Sequence, residues 1–518
     1  MNFMKKSSAA CLRLPALLAG LILAPLVGAM SLSTDGGGQV LLFPYYSVEA
    51  GNQTLISIVN AAPQGKATRL FFREGRNGRL VAELSIYLAP YDVWTGAVFS
   101  LDAGAANLAT DDNSCTVPAL KTSQTLPVLG NGRRYLPFSN SAYTGGNDDA
   151  GPDDLARTRE GYVEFIEMAA VTGQRSFEAL FPGLGVVPAD CPSLVAAWAA
   201  GGYWQLDASA DLSAPGGGLF GTAYLTDVAE GTLQMYPADA IDGFSGRILH
   251  VAPGLGQPTL ADANAGASAT IGVDVFSDGA PVSLHYPVPA QAIDAVSALF
   301  MADRLDNEFV INPQLGAASE WVVGFPTKRF YTDVAAGPAI EPFDQVFPRT
   351  GSTAGAPVFL YLDAWTREGR SIECMPPYSY ADCIVGVPPP PDVPRLNWVS
   401  NVIAFNQPGD LLEPRTRILG SRLGFPINLL NLRDGSDAAE GMVRLSFPAD
   451  ADSTQGRLRA DIDGHRLRGV PAQGFWVASY TNRAVTPGVL ANYSDAVRHL
   501  TRTSEDVGFS AQAGEPRH

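Results

Sequence analysis

Alternation of apolar and polar residues dominates the first hundred positions. Residues 39–46 (QVLLFPYY) are apolar and aromatic, and residues 54–60 (TLISIVN) alternate and end at an Asn followed by Ala-Ala-Pro. Residues 67–73 and 80–88 flank Glu74-Gly75-Arg76-Asn77-Gly78, where Asn-Gly supplies a turn with φ > 0. Residues 93–101 close the set. Short strands at about ten-residue spacing, joined by Gly, Asn and Pro turns, predict a β-sandwich.

Beyond residue 102 the periodicity weakens until about residue 218. Residues 143–154 (YTGGNDDAGPDD) read as a polar loop, 160–168 as a strand, and 191–204 as a short helical or irregular segment. Hairpin character returns over 220–236, around Glu230-Gly231, and over 269–287, around Ser277-Asp278-Gly279. The spacing predicts a helix over 290–301, with Ile293, Val296, Leu299 and Phe300 on one face. Residues 320–325 and 330–334 return to strand patterns. A stretch rich in Gly and Pro, 335–357, marks a boundary. After it, 358–365, 396–405, 427–432, 441–447, 458–462 and 475–481 read as strands, and 387–394 (VPPPPDVP) as a stiff spacer. Leu490, Tyr493, Val497 and Leu500 predict a second helix over 489–500.

The fold class is therefore mainly β, with two or three Ig-like sandwich units and a few short helices. The expected division is a signal peptide (1–29), an N-terminal sandwich with a disulfide-pinned insertion (30–240), a central β-rich unit with one helix (241–345) and a C-terminal sandwich-like unit (346–518).

Export is the expectation for the first segment. Lys5, Lys6 and Arg13 precede an apolar run over 14–27, and Val27-Gly28-Ala29 supplies a small-residue cleavage site. The run is too short, with Pro15, Gly20 and Pro25 inside it, to favour a spanning helix, and no later segment is a candidate anchor. Losing it removes three positive charges from a chain whose net charge is already −17. Nucleic acid and anionic lipid are poor partners for such a chain; the acidity suits solubility. In an oxidising compartment Cys115, Cys191, Cys374 and Cys383 imply two disulfides among three pairings. Sequence proximity favours Cys374–Cys383, which leaves Cys115–Cys191 to pin the insertion.

Motifs for chemistry are sparse. Gly243-Phe244-Ser245-Gly246 lacks the spacing of a nucleophile elbow, and the five histidines form no zinc motif. Glu164 and Glu167 fall on opposite faces of a strand, unlike a glycosidase pair. The glycine runs at 36–38 and 216–218 read as linkers. Calcium is the one ion to carry forward: Asn147, Asp148, Asp149, Asp153 and Asp154 crowd one loop, against the plainer reading of a solvated acidic loop. Aromatics are candidates for stacking on a ligand: Tyr91 and Trp94 in the first unit, Trp198, Tyr203 and Trp204 in the insertion. Against that stands the ordinary use of strand aromatics in cores. Arg-Glu-Gly recurs at 73–75, 159–161 and 367–369, and reads as a charged turn reused by similar sandwiches, with a hint of duplication.

The segments QVLLFPYYSVEAGNQTLISIVN, LAPYDVWTGAV and EWVVGFPTKRFYTD resemble an uncharacterised family of exported, β-rich proteins of proteobacteria, over about residues 36–493. The resemblance implies export and a β-rich fold, and assigns no catalytic or binding residue. The functional expectation is a non-enzymatic structural, adhesive or surface-associated protein, periplasmic or extracellular, meeting a glycan or protein at the cell surface. The alternatives are a carbohydrate- or peptide-binding module using the loop aromatics, and a hydrolase whose dispersed site uses His250, His285 or His465.

Overall fold

The computed structural model describes residues 28–101, 104–173, 190–333, 337–347, 355–372, 395–405, 415–427, 439–449, 455–482 and 491–506. The expected signal segment, Cys374, Cys383 and the polyproline stretch lie outside the described residues.

Alternation in residues 54–60 puts Ile56 and Ile58 on one face of strand Gln53–Asn60 and Leu55 and Ser57 on the other. That strand lies in a six-stranded sheet between Leu219–Asp227 and Val93–Ser100. Facing it is an eight-stranded sheet in which Val40–Ser47, Glu160–Val171, Gly65–Glu74 and Leu80–Leu88 are successive neighbours. Ile56, Ile58, Trp94 and Leu225 from one sheet meet Phe43, Leu70, Phe72 and Phe165 from the other in one core. The expected sandwich is there, and the protein is mainly β, built of separate antiparallel sheets.

Strands Val40–Ser47 and Glu160–Val171 are buried at every position because the eight-stranded sheet is covered on its second face too. Val40, Leu42, Phe71 and Ile166 point into another core, against the hairpin Thr270–Ser277/Ala280–Pro287 and helix Ala292–Ala298. The predicted helical face supplies Val296, Leu299 and Phe300 to that core.

A second sandwich repeats the plan of the first. In the first, the order Thr232–Pro237, Leu219–Asp227, Gln53–Asn60, Val93–Ser100 faces Val40–Ser47, Glu160–Val171, Gly65–Glu74. In the second, Ala491–Arg498, Gln473–Asn482, Ala317–Gly324, Ser400–Phe405 faces Arg304–Val310, Glu440–Ser446, Tyr361–Thr366. The chain visits matching strands in the same order. A local device recurs as well. The Thr54 hydroxyl accepts from Ser47 N (2.9 Å) and donates to Ser47 O (2.9 Å) where the chain crosses between sheets. Ser319 does the same to Val310, at 2.7 and 2.9 Å. The two sandwiches thus share both strand order and this crossing.

The inner strands of the five-stranded sheet of the second sandwich are buried on both faces. Trp321, Val323 and Ile403 enter its own core, whereas Val322, Val402, Phe475 and Val477 join the core of the first sandwich. The two units therefore share apolar packing, with Tyr236 stacked on Phe475 at 4.3 Å.

Two expectations are corrected. Residues 491–498 form a strand, not a helix, paired throughout with Gln473–Asn482. The residues that face the first sandwich are every second one: Asn492 and Ser494 bond to Glu230 O and Leu233 O, and Arg498 to Ala238 O. The apolar residues at helical spacing, Tyr493 and Val497, stay exposed, so no helical face was being selected. The expected boundary near 345 also falls inside the second sandwich, because Arg304–Val310 and Ala317–Gly324 pair with strands beyond it. Gly and Pro there mark a long crossover rather than a domain edge.

Candidate functional site

The insertion is closed on itself. Cys115 and Cys191 are disulfide-bonded, with Cα atoms 5.3 Å apart, across 76 residues of sequence. Beside the bond, Trp204 stacks on Tyr87 (5.2 Å), Trp198 and Trp204 flank His250 (4.9 and 4.5 Å), and Tyr203 lies against Trp204 (4.9 Å). Trp198 Nε1 donates to Tyr87 Oη, and Trp204 Nε1 to Ala210 O. Trp94 is wholly buried in the first core. Of the five aromatics singled out by sequence, Tyr91 alone is broadly exposed, at 68%. Replacing both Cys115 and Cys191 by Ser is expected to cost about 3 kcal/mol, since the bond closes a long loop. Urea unfolding followed by tryptophan fluorescence measures it, and an unchanged midpoint would contradict the role given to the bond.

One member of the acidic loop, Asp149, is buried against a cation, while Asn147, Asp148, Asp153 and Asp154 are exposed. Asp149 accepts from Arg157 at 2.5 and 2.7 Å and from Asn77, Asp154 caps the short 3-10 helix Leu155–Arg159 by accepting from Arg157 N, and Asp148 accepts from Ala150 N. Asn147 bonds to Ser141 O, and Asp153 O accepts from Asn140. Arg157 reaches on to Glu74 (2.9 and 3.2 Å) and lies over the Tyr143 ring at 4.2 Å. Burial pushes the Asp149 carboxyl up, but Arg157 outweighs it and holds it below its ordinary value. These five residues do not converge on a common ion position.

Below the loop lies a cavity of about 310 Å³. Arg73, Arg79, Arg329, Asn77, Asn147 and Asp149 line it, with Leu80, Thr259, Asp333 and Phe347. Arg73 and Arg329 share one carboxylate, Glu164, at 2.7 and 3.4 Å. Burial raises the Glu164 carboxyl, and the two guanidinium groups more than reverse that. The sequence separates these residues widely; antiparallel pairing of Tyr162 with Arg73 joins the first two Arg-Glu-Gly motifs side by side. Both are buried, and only the third matches the expected charged turn, with Arg367 72% exposed.

Buried carboxylates also tie the two sandwiches together at Glu160 and Glu49, and Glu320 ties segments within the second. Glu160 accepts from Tyr45, Ser421 Oγ and Arg422 N, and Glu320 from Ile418 N, Leu419 N and Thr416. Glu49 sits among Arg159, Arg415 and Arg422 at 3.1–3.2 Å. Burial pushes the Glu160 and Glu320 carboxyls up.

The outer face of the six-stranded sheet was not singled out by sequence. Its outward positions on the four strands Gln53–Asn60, Val93–Ser100, Leu219–Asp227 and Thr232–Pro237 carry no charged residue. Leu55, Val93, Phe220, Leu233 and Met235 are each between 38% and 54% exposed there. A groove of about 450 Å³ crosses it, lined by Leu55, Ser57, Thr95, Ala97 and Tyr224 and closed at one end by the ion pair Asp111–Arg133. The signal was available: the alternation in these strands swaps apolar for uncharged rather than apolar for charged.

The histidines divide in two. His250 and His499 are buried and hydrogen-bonded to backbone carbonyls, whereas His285 and His465 are surface residues beside Asp463 (3.1 Å) and Glu505 (3.4 Å). His285, Asp461 and Asp463 are the one group of three donors placed closely enough for a metal among the described residues. Asp461 there accepts from the backbone N–H groups of His285, Asp463 and His465, which closes the turn. No helix among the described residues is long and apolar enough to cross a membrane. No protein-family model, curated protein or solved structure matches the chain.

Proposed function

We propose that this is an exported, surface-associated protein of structural or adhesive type, which works by holding a protein partner against the outer face of its six-stranded sheet. The observation that carries this reading is the absence of charge from that face in so acidic a chain, together with its exposed aliphatic side chains. A solvated sheet face ordinarily alternates apolar-in with polar-out, and a contiguous exposed apolar patch marks an interaction surface. Leu, Val and Met favour an apolar protein surface over a sugar, which takes flat aromatic platforms. Phe220 and Tyr224 are the aromatics of the face, among a larger number of aliphatic side chains, and Trp94 is spent in the core. The Cys115–Cys191 bond supports an oxidising compartment.

A photo-crosslinking residue introduced at Thr95 in producing cells should give one discrete protein adduct, and one at Glu368 should give none. Leu55→Lys with Met235→Glu should abolish the adduct while changing stability by no more than about 0.5 kcal/mol, since both side chains are exposed. Glycan binding by the purified protein that survives the double substitution, without any protein adduct, would overturn the proposal.

A further inference from the structure

The geometry points to a second site, independent of the sheet face: the cavity between the two sandwiches is a binding site for a small sugar acid, one carboxylate on a polyhydroxylated ring. Its floor is the pair Arg73 and Arg329, two cations with Glu164 as their shared counter-ion. The arrangement leaves guanidinium donors over. Arg329 Nε is buried without a hydrogen-bond partner, so the protein itself satisfies only part of this guanidinium. The Phe330 ring, 3.7 Å from Arg329 Cζ, fixes the plane of that guanidinium. A planar fork held in place suits a carboxylate.

The remaining lining decides between anions. Asp149 and Asp333 border the same space as the arginines. They oppose a phosphate dianion more than a carboxylate monoanion, and carboxylate oxygens accept hydrogen bonds from hydroxyl groups. Asn147 and Thr259 add neutral polar partners, and Leu80 and Phe347 give the apolar wall against which the C–H face of a sugar ring packs. A volume of about 310 Å³ is enough for a monosaccharide. The site also lies where ligand sites concentrate, between packed units: Arg73 to Leu80 and Asn147 come from the first sandwich, Arg329 to Phe347 from the start of the second.

Isothermal titration calorimetry of the full chain with galacturonate, glucuronate, glucose and inorganic phosphate tests this. The expected result is saturable binding of a uronate and none of glucose or phosphate. Arg329→Lys keeps the charge and loses the fork, and should weaken uronate binding at least tenfold. Because Arg329 is mostly buried and its loss could disturb folding, Asn147→Ala and Asp333→Asn at the rim form a second arm, each expected to weaken binding severalfold with an unchanged unfolding midpoint. Phosphate binding in preference to uronate, no heat with either uronate, or uronate binding indifferent to all three substitutions would each overturn the assignment.

Discussion

Replacing Arg157 by alanine is expected to lower stability by about 4 kcal/mol, the loss that follows when one partner of a buried ion pair is removed. The side chain is buried and serves two carboxylates, Glu74 and Asp149, which would be left facing each other without their cation. Glu74 would keep the backbone N–H groups of Arg76, Asn77 and Arg79, and Asp149 those of Gly151 and the Asn77 amide. Those contacts hold geometry but supply no countercharge, and the cation that remains beside Asp149, Arg79, is 3.8 Å from it. Arg157→Lys restores one charge without the fork that spans both acids, so it should recover about half of the loss. Urea unfolding at pH 7 reads the difference, and a loss below about 1 kcal/mol would show the network to be a surface-type pairing. Hydrogen exchange should locate the damage in residues 144–154.

The parts of the fold that sequence made legible are those decided by neighbours in the chain. Gln53–Asn60 alternates because its two faces meet different surroundings, and helix Ala292–Ala298 was legible from its apolar spacing although it is buried nearly all round. Long-range packing erased the signal elsewhere. Glu164, Arg73 and Arg329 look like ordinary strand or turn charges until three segments meet. Ala491–Arg498 carries helical spacing by coincidence, since at a sheet edge only its small and polar positions touch anything. For the aromatics the plainer of the two readings describes Trp94, a strand residue that fills a core, and Trp204, on a short helix, is buried as well. The common plan of the two sandwiches was visible only as a three-residue repeat, because packing fixes strand order and crossing geometry rather than residue identity.

Acid should unfold this protein through two histidines, and the effect should exceed that of any single substitution above. His250 is enclosed by Tyr87, Trp198 and Trp204, with Nδ1 on Ala208 O (2.9 Å) and Nε2 on Tyr87 Oη (3.3 Å); Arg69 is the nearest charge. His499 has Nε2 on Val322 O (2.9 Å), Nδ1 beside the Asn307 amide (3.1 Å), and its ring 4.7 Å from Trp321. Burial pushes both down to about 4, and the carbonyl contacts only partly oppose it. A folded-state value below the unfolded one means that both rings are neutral in either state above about pH 6.5, where their contribution is fully present. Between about pH 6.5 and 4 the unfolded chain takes up protons that the folded chain refuses, so stability falls with falling pH, by about 3 kcal/mol per histidine at pH 4. The buried carboxyls of Glu160 and Glu320, raised by burial, act in the opposite sense: they gain stability as pH falls through their raised values. Comparison with a His250→Gln/His499→Gln double variant separates the two. Its curve of unfolding free energy against pH should be flatter than the parent's by about 2.7 kcal/mol per pH unit between pH 6 and 4.5, the slope of two protons. Parallel curves would mean that these rings are protonated in the folded state, which two backbone carbonyls and a cage of aromatic rings give no reason to expect.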